Sequence, residues 1–246
     1  MSIQFGSASA ATGHIAQGMS PQVPSFPVTM SIWFYSNRTT GREPLLSFKC
    51  TDLDADGDAF ELSLSMLSNA ATTNRRVEAV VYDFWNSVVR AQTATGAGMG
   101  WSTNSWVHAA GTFNNFIRTP YLNGEPSGSN TVSINDPSES TLDPLVTLNG
   151  SVATSPSTIG HDAAGQVVLM AEAAIWDAVL EKEEIVALSR GAKPKTIRPD
   201  SLIFYSPLVR GSSSSVPDET GNIPLIAYNF ASEFPPSYTD HTRRYG

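Results

Sequence analysis

An all-β antiparallel sandwich with one short helix is the fold class this sequence predicts, and three observations predict it. Apolar and polar residues alternate along several segments, which is the period of a half-buried strand. Turn clusters recur every ten residues or so, the spacing of short antiparallel strands. One uninterrupted apolar run, Val167 to Trp176, fits a strand buried on both faces. The 246 residues suit one large sandwich, with a core that needs no disulfide staple.

The elements follow in order. Val28, Met30, Ile32 and Phe34 alternate with Thr29, Ser31, Trp33 and Tyr35. Phe60, Leu62, Leu64 and Met66 alternate with Glu61, Ser63 and Ser65. Arg76 to Trp85 and Ser87 to Thr93 read as two strands joined around Asn86. Trp106 to Phe113 and Ile117 to Leu122 form a pair with Asn114-Asn115 at the turn, and Asn123-Gly124 signals a tight hairpin. Residues 125–157 hold four prolines and many hydroxyls. They read as a surface excursion with short strands near Val132–Ile134 and Leu145–Leu148. After the apolar run, Glu181, Glu183 and Glu184 crowd a first helical turn, where carboxylates meet the positive end of the helix dipole. Ile185 and Leu188 share one face, and Arg190-Gly191 closes the helix. Ser201 to Tyr205 returns as a strand.

These segments carry a resemblance. Ile175, Trp176, Asp177, Leu180, Glu184 and Ile185 match the end of a laminin-G-like, pentraxin-like or concanavalin-A-like module. Ser105 to Phe113 resembles the "W-x-H-V-A-x-T-F" strand of that family with one residue shifted. Tyr121 to Gly124 resembles its "Y-v-N/D-G" hairpin, and Val28 to Tyr35 its "f-t-i-s-x-W" strand. Asp218, Thr220, Gly221 and Asn222 resemble its "D-x-S-G-N" turn with Thr for Ser. The resemblance covers roughly residues 28 to 190 and implies a jelly-roll β-sandwich. It implies one domain over 1–246, with 201–230 completing the sheet and 231–246 a tail. Because the fold hosts many tasks, function must be argued from sites.

Composition excludes some functions. A net charge of −8 argues against nucleic acid and anionic membranes as partners. No stretch reaches transmembrane length. The only cysteine, Cys50, precludes an intrachain disulfide, a departure from most laminin-G modules. The first residues show no secretory signal. Paired acids in the Glu-x-Asp spacing of concanavalin-like glycosidases do not occur, nor does a Gly-x-Ser-x-Gly elbow or a phosphate loop. No enzyme is therefore expected.

Two candidate sites remain. Asp52, Asp54 and Asp56, followed by Gly57, place alternate carboxylates as an oxygen cage for calcium would. The twelfth position is Ser63 rather than Glu, so the same residues also suit a plain acidic turn. Aromatic faces suit the C–H faces of pyranoses. Among Trp33, Tyr35, Tyr82, Trp85 and Trp101, the two at strand ends or loops, Trp85 and Trp101, are the surface candidates for glycan binding. Trp106 and Trp176 match family positions and are expected to be structural, as is His108. The four histidines are dispersed, which leaves no zinc site.

The functional expectation is a non-enzymatic module on the surface of a virion, decorating the capsid or tail of a bacteriophage. Its partners would be other virion proteins, surface glycans and further copies of itself as a homo-oligomer. The alternatives are a free carbohydrate-binding or adhesion module outside a cell, and a glycoside hydrolase or lyase with an unfamiliar site.

Overall fold

The computed structural model describes residues 3–5, 15–19, 26–39, 41–51, 59–68, 75–82, 88–92, 100–114, 117–126, 128–131, 143–148, 168–208, 215–216, 218–221 and 225–228. Within them the chain forms two antiparallel sheets and one α-helix. The first sheet contains β1 (Ile3–Phe5), β3 (Val28–Ser36), β8 (Trp106–Phe113), β9 (Ile117–Leu122), β10 (Glu125–Pro126), β11 (Asn130–Thr131), β13 (Val168–Trp176) and β14 (Leu202–Ser206). Its spatial order runs β13-β3-β8-β9, with β1 and β14 both on the outer side of β13 and β10 and β11 on β9. The second sheet contains β2 (Ile15–Met19), β4 (Gly41–Thr51), β5 (Ala59–Ser68), β6 (Arg76–Tyr82), β7 (Val88–Gln92), β12 (Asp143–Leu148), β15 (Ser215–Val216) and β16 (Leu225–Tyr228). Its order is β15-β16-β2-β12-β4-β5-β6-β7. The all-β sandwich with one short helix is the architecture that the alternation predicts.

Period-2 patterning explains where the core sits. Val28, Met30, Ile32 and Phe34 of β3 face Leu46, Phe48, Leu62, Leu64 and Met66 of the second sheet, all buried. Val107, Ala109 and Phe113 of β8 and Met170, Ala173 and Ile175 of β13 complete this layer. A second, smaller core lies on the other side of the first sheet. There Ala110, Tyr121, Ala174, Trp176 and Tyr205 meet Leu180, Ile185 and Leu188 of the helical segment. That is why β13 is apolar on both faces.

Helix α1 (Lys182–Ser189) begins at Glu181, whose backbone N donates to Glu184 Oε2 at 2.7 Å. It ends in a Schellman arrangement: Ala192 N donates to Ala187 O and Gly191 N to Leu188 O, with Gly191 at φ +90°. Arg198 ties the following turn back to the helix through Glu184, at 2.7 Å. The β9–β10 hairpin turns at Asn123 (φ 51°) and Gly124 (φ 87°), as the Asn-Gly pair predicts. Asp218, in the acidic turn after β14, accepts from Tyr205 N at 3.1 Å and from Thr220 N at 3.0 Å, so that turn fastens the strand.

Candidate functional site: an aromatic row on the first sheet

Register assigns the outward side chains of β13, β3 and β8 to rows. From β13 across β3 to β8, the rows are Leu169–Tyr35–Trp106, Ala171–Trp33–His108, Ala174–Ser31–Ala110 and Trp176–Thr29–Thr112. A bulge between Ala171 and Ala174 keeps the last two rows in phase and leaves Glu172 at φ 53°. Helix α1 and its flanking turns pack on the last two rows, through Ala110, Ala174 and Trp176. The first two rows lie beyond the helix.

In the first row Tyr35 and Trp106 are each half-buried, side by side, with ring centroids 6.0 Å apart and planes tilted by 56°. Exposed Asn104 stands at the rim in a left-handed turn (φ 58°), and its backbone N donates to Ser36 O at 2.9 Å. Asn104 Oδ1 lies 3.4 Å from the Tyr35 hydroxyl, a long contact. In the same turn Ser105 Oγ donates to Ser102 O at 2.7 Å. The constellation is two half-buried aromatic rings with the exposed Asn104 amide beside the Tyr35 hydroxyl. Such a surface can stack on an apolar ring face and exchange neutral hydrogen bonds with its substituents.

The second row is closed. Trp33 is 7% exposed and meets His108 edge-on at 5.3 Å. His108 is fully buried, and its Nε2 is hydrogen-bonded to the Ser31 hydroxyl at 2.9 Å. Burial pushes the imidazole down to about 3, so the ring stays neutral near pH 7. The Ser–His pair is sealed from solvent and its base is far too weak for efficient proton abstraction at neutral pH. It holds β3 to β8, the structural role the sequence implies.

Among the described residues, a row on the second sheet's outer face is polar and closed. Ser47 Oγ donates to Ser63 Oγ at 3.0 Å, and Ser63 Oγ lies 3.1 Å from Ser65 Oγ. Arg42 pairs with Glu78 alongside them. These three serines and Glu78 are each at most 1% exposed, so that row offers no open surface.

The structure redistributes the tryptophans. Trp101, expected on the surface as a sugar-stacking residue, is 3% exposed and belongs to the main core. It packs edge-on against Phe34 at 5.4 Å, donates from Nε1 to Arg76 O at 3.2 Å, and carries Arg75 over its ring. Gly100 lets it dock, because a Cβ there would lie 2.8 Å from Arg75 O. Trp106, expected to be structural, lies half-buried on the outer face beside Tyr35, with its indole Nε1 buried. The reason is parity: Val107 faces the core, so Trp106 must face outward. Trp176 is fully buried, as expected. Trp85 and the calcium candidates Asp52, Asp54 and Asp56 lie outside the described residues. Among the described residues no group of three His, Cys, Asp or Glu side chains could hold a metal ion.

A third polar group sits at the β13 bulge. Tyr205 Oη donates to Glu172 Oε2 at 2.5 Å, beneath Lys195, whose Nζ is 5.9 Å from the Tyr205 ring and which pairs with Glu219. Burial raises the Glu172 carboxyl, partly offset by the Tyr205 hydrogen bond, and it raises the Tyr205 phenol too. This pair joins β13 to β14 and belongs to the scaffold.

Comparison with known proteins agrees with this architecture. The family model described as the concanavalin A-like lectin/glucanases superfamily matches residues 9–186. The chain belongs to that superfamily. No curated protein matches the sequence. Among solved structures, a heptameric SAP-like pentraxin from Limulus polyphemus superposes with a TM-score of 0.55 at 12% identity, covering 76% of this chain and 81% of that one. A protein of Bacteroides ovatus described as carbohydrate-binding gives 0.56 at 14% identity, covering 91% of this chain and 57% of that one. The botulinum neurotoxin serotype D binding domain gives 0.52 at 12% identity, with 76% and 41% covered. At these identities the likeness is one of fold.

Proposed function

We propose that this protein is a non-enzymatic carbohydrate-recognition module, and that Tyr35 and Trp106, with Asn104 at their rim, form its sugar-contacting surface. The observation that carries the reading is the adjacent pair of half-buried rings beside the exposed Asn104 amide. Membership of a lectin-containing superfamily supports it, and so does the fold shared with a protein described as carbohydrate-binding. We further place the module on the surface of a virus particle. A disulfide-free adhesive domain with few charged residues, 15% of the chain, suits close packing against particle proteins.

A glycan array tests the first claim with the native protein, Tyr35→Ala and Trp106→Ala. Binding by the native chain and a loss of at least about tenfold in each variant support it, the size expected of an anchor aromatic. Equal binding by all three would remove the site. Incubating the protein with the glycan it binds should release no shorter product by mass spectrometry, and release would restore the hydrolase or lyase reading. Quantifying the protein in purified particles tests its placement. A fixed copy number supports the virion surface, and absence from particles supports the free module.

A further inference from the structure

We infer that the outward face of helix α1 docks a second copy of this chain, with the two helices antiparallel about a twofold axis. The charges on the helical segment come first. Glu181 and Glu184 pair with Arg198, and Lys182 pairs with Glu125. The other two charged residues, Glu183 and Arg190, are exposed and make no ion pair among the described residues. Seven positions along a helix return to within about 20° of the same direction, about 10.5 Å farther on. Glu183 and Arg190 therefore share one face. It is opposite the face that Ile185 and Leu188 bury against the first sheet. Val186 and Ala187, both half-buried, lie between the two charges. With Lys182 and Ala192 these four residues line one open groove.

Self-complementarity comes second. A twofold contact presents the same patch from both copies, so that patch must match itself. Glu183 and Arg190 are equally far from the midpoint between Val186 and Ala187. A twofold axis through that midpoint sets Glu183 against the partner's Arg190, and Arg190 against the partner's Glu183. It sets Val186 against the partner's Ala187. Opposite charges thus meet at both ends of an aliphatic centre. A parallel pairing would instead set carboxylate against carboxylate and guanidinium against guanidinium, so charge selects the antiparallel arrangement. That arrangement also brings the positive end of each helix dipole to the negative end of the other. One helix per copy is a small contact, which makes the dimer a weak one. It does not depend on sugar binding.

The test is analytical ultracentrifugation of the full chain. Between about 5 and about 500 µM the native protein should show a reversible monomer–dimer equilibrium, with a midpoint of tens to hundreds of micromolar. Glu183→Arg sets like charges together at both ends of the contact, and so does Arg190→Glu. Each variant alone should dimerise at least about tenfold more weakly. Both side chains are exposed, so circular dichroism should show the native fold in each variant. Mixed in equal amounts, the two variants should associate within about threefold of the native affinity, because every facing pair then joins opposite charges. Both variants remain net negative, so bulk charge does not draw them together. A native chain that stays monomeric over this range would overturn the inference and leave the groove to a different protein. A dimer whose affinity neither variant changes would overturn it too, as would a mixture that associates no more tightly than its parts.

Discussion

Trp101 and Trp106 are five positions apart and do opposite work. Trp101 fills the main core against Phe34, so Trp101→Ala should cost about 3–5 kcal/mol, the range for a buried tryptophan. Trp106→Ala removes a half-buried ring and should cost less. Urea denaturation of both variants checks this, and equal losses would contradict the placement of either residue. His108 makes a pH prediction. Its folded pKa of about 3 lies below the ordinary value of 6.5, so the unfolded chain binds the proton that the folded chain refuses. Its contribution is complete above about pH 6.5 and is lost as pH falls towards 3, at roughly 1.4 kcal/mol per pH unit. Glu172 pulls the other way. Its raised folded pKa favours the fold at low pH, and that contribution fades as pH rises through the folded value. In denaturation from pH 7 to 5, His108→Gln should flatten the slope by about one proton. An unchanged slope would show that His108 is not held neutral.

At the scale of elements, the contact between the β9–β10 hairpin and helix α1 depends on Gly124. Its φ of +87° disfavours an L side chain, and a Cβ there would lie 2.5 Å from Ser189 Oγ and 3.1 Å from Val186 Cα. Gly124→Ala should therefore destabilise the protein by about 1–3 kcal/mol, measured by thermal melting. An unaltered melting temperature would mean that the hairpin does not press on the helix. The elements themselves were legible in the sequence because alternation, Asn-Gly and the acidic helix start are local signals. Val28 to Phe34, the Asn123-Gly124 turn and the Glu181–Gly191 helix stand where those signals put them. The aromatic site was less legible. Trp101 follows glycines in a loop-like stretch, which reads as surface. The close approach of Gly100 and Trp101 to the Arg75–Arg76 backbone, a contact distant in sequence, accompanies the inward turn of its ring. Trp106 matches a family position, yet its outward parity follows from Val107 facing the core. Tyr35 was a candidate, but its pairing with Trp106 needed the register of β3 against β8.

Over the whole molecule, the two sheets share a core that leaves one face of the first sheet to do other work. Helix α1 closes two rows of that face through Trp176, Ile185 and Leu188. Packing closes a third row around His108, and the fourth holds two half-buried rings. In the second sheet the described polar outer residues bond one another, through the Ser47–Ser63–Ser65 ladder and the Arg42–Glu78 pair. Closed polar rows stabilise without offering a ligand anything to displace.

The most direct test follows the indole N–H signals of the five tryptophans by NMR while a bound glycan is added. The account predicts that the Trp106 signal shifts most, while those of the buried Trp101 and Trp176 barely move. Shifts confined to Trp85, or none beyond those of a non-binding sugar, would contradict it.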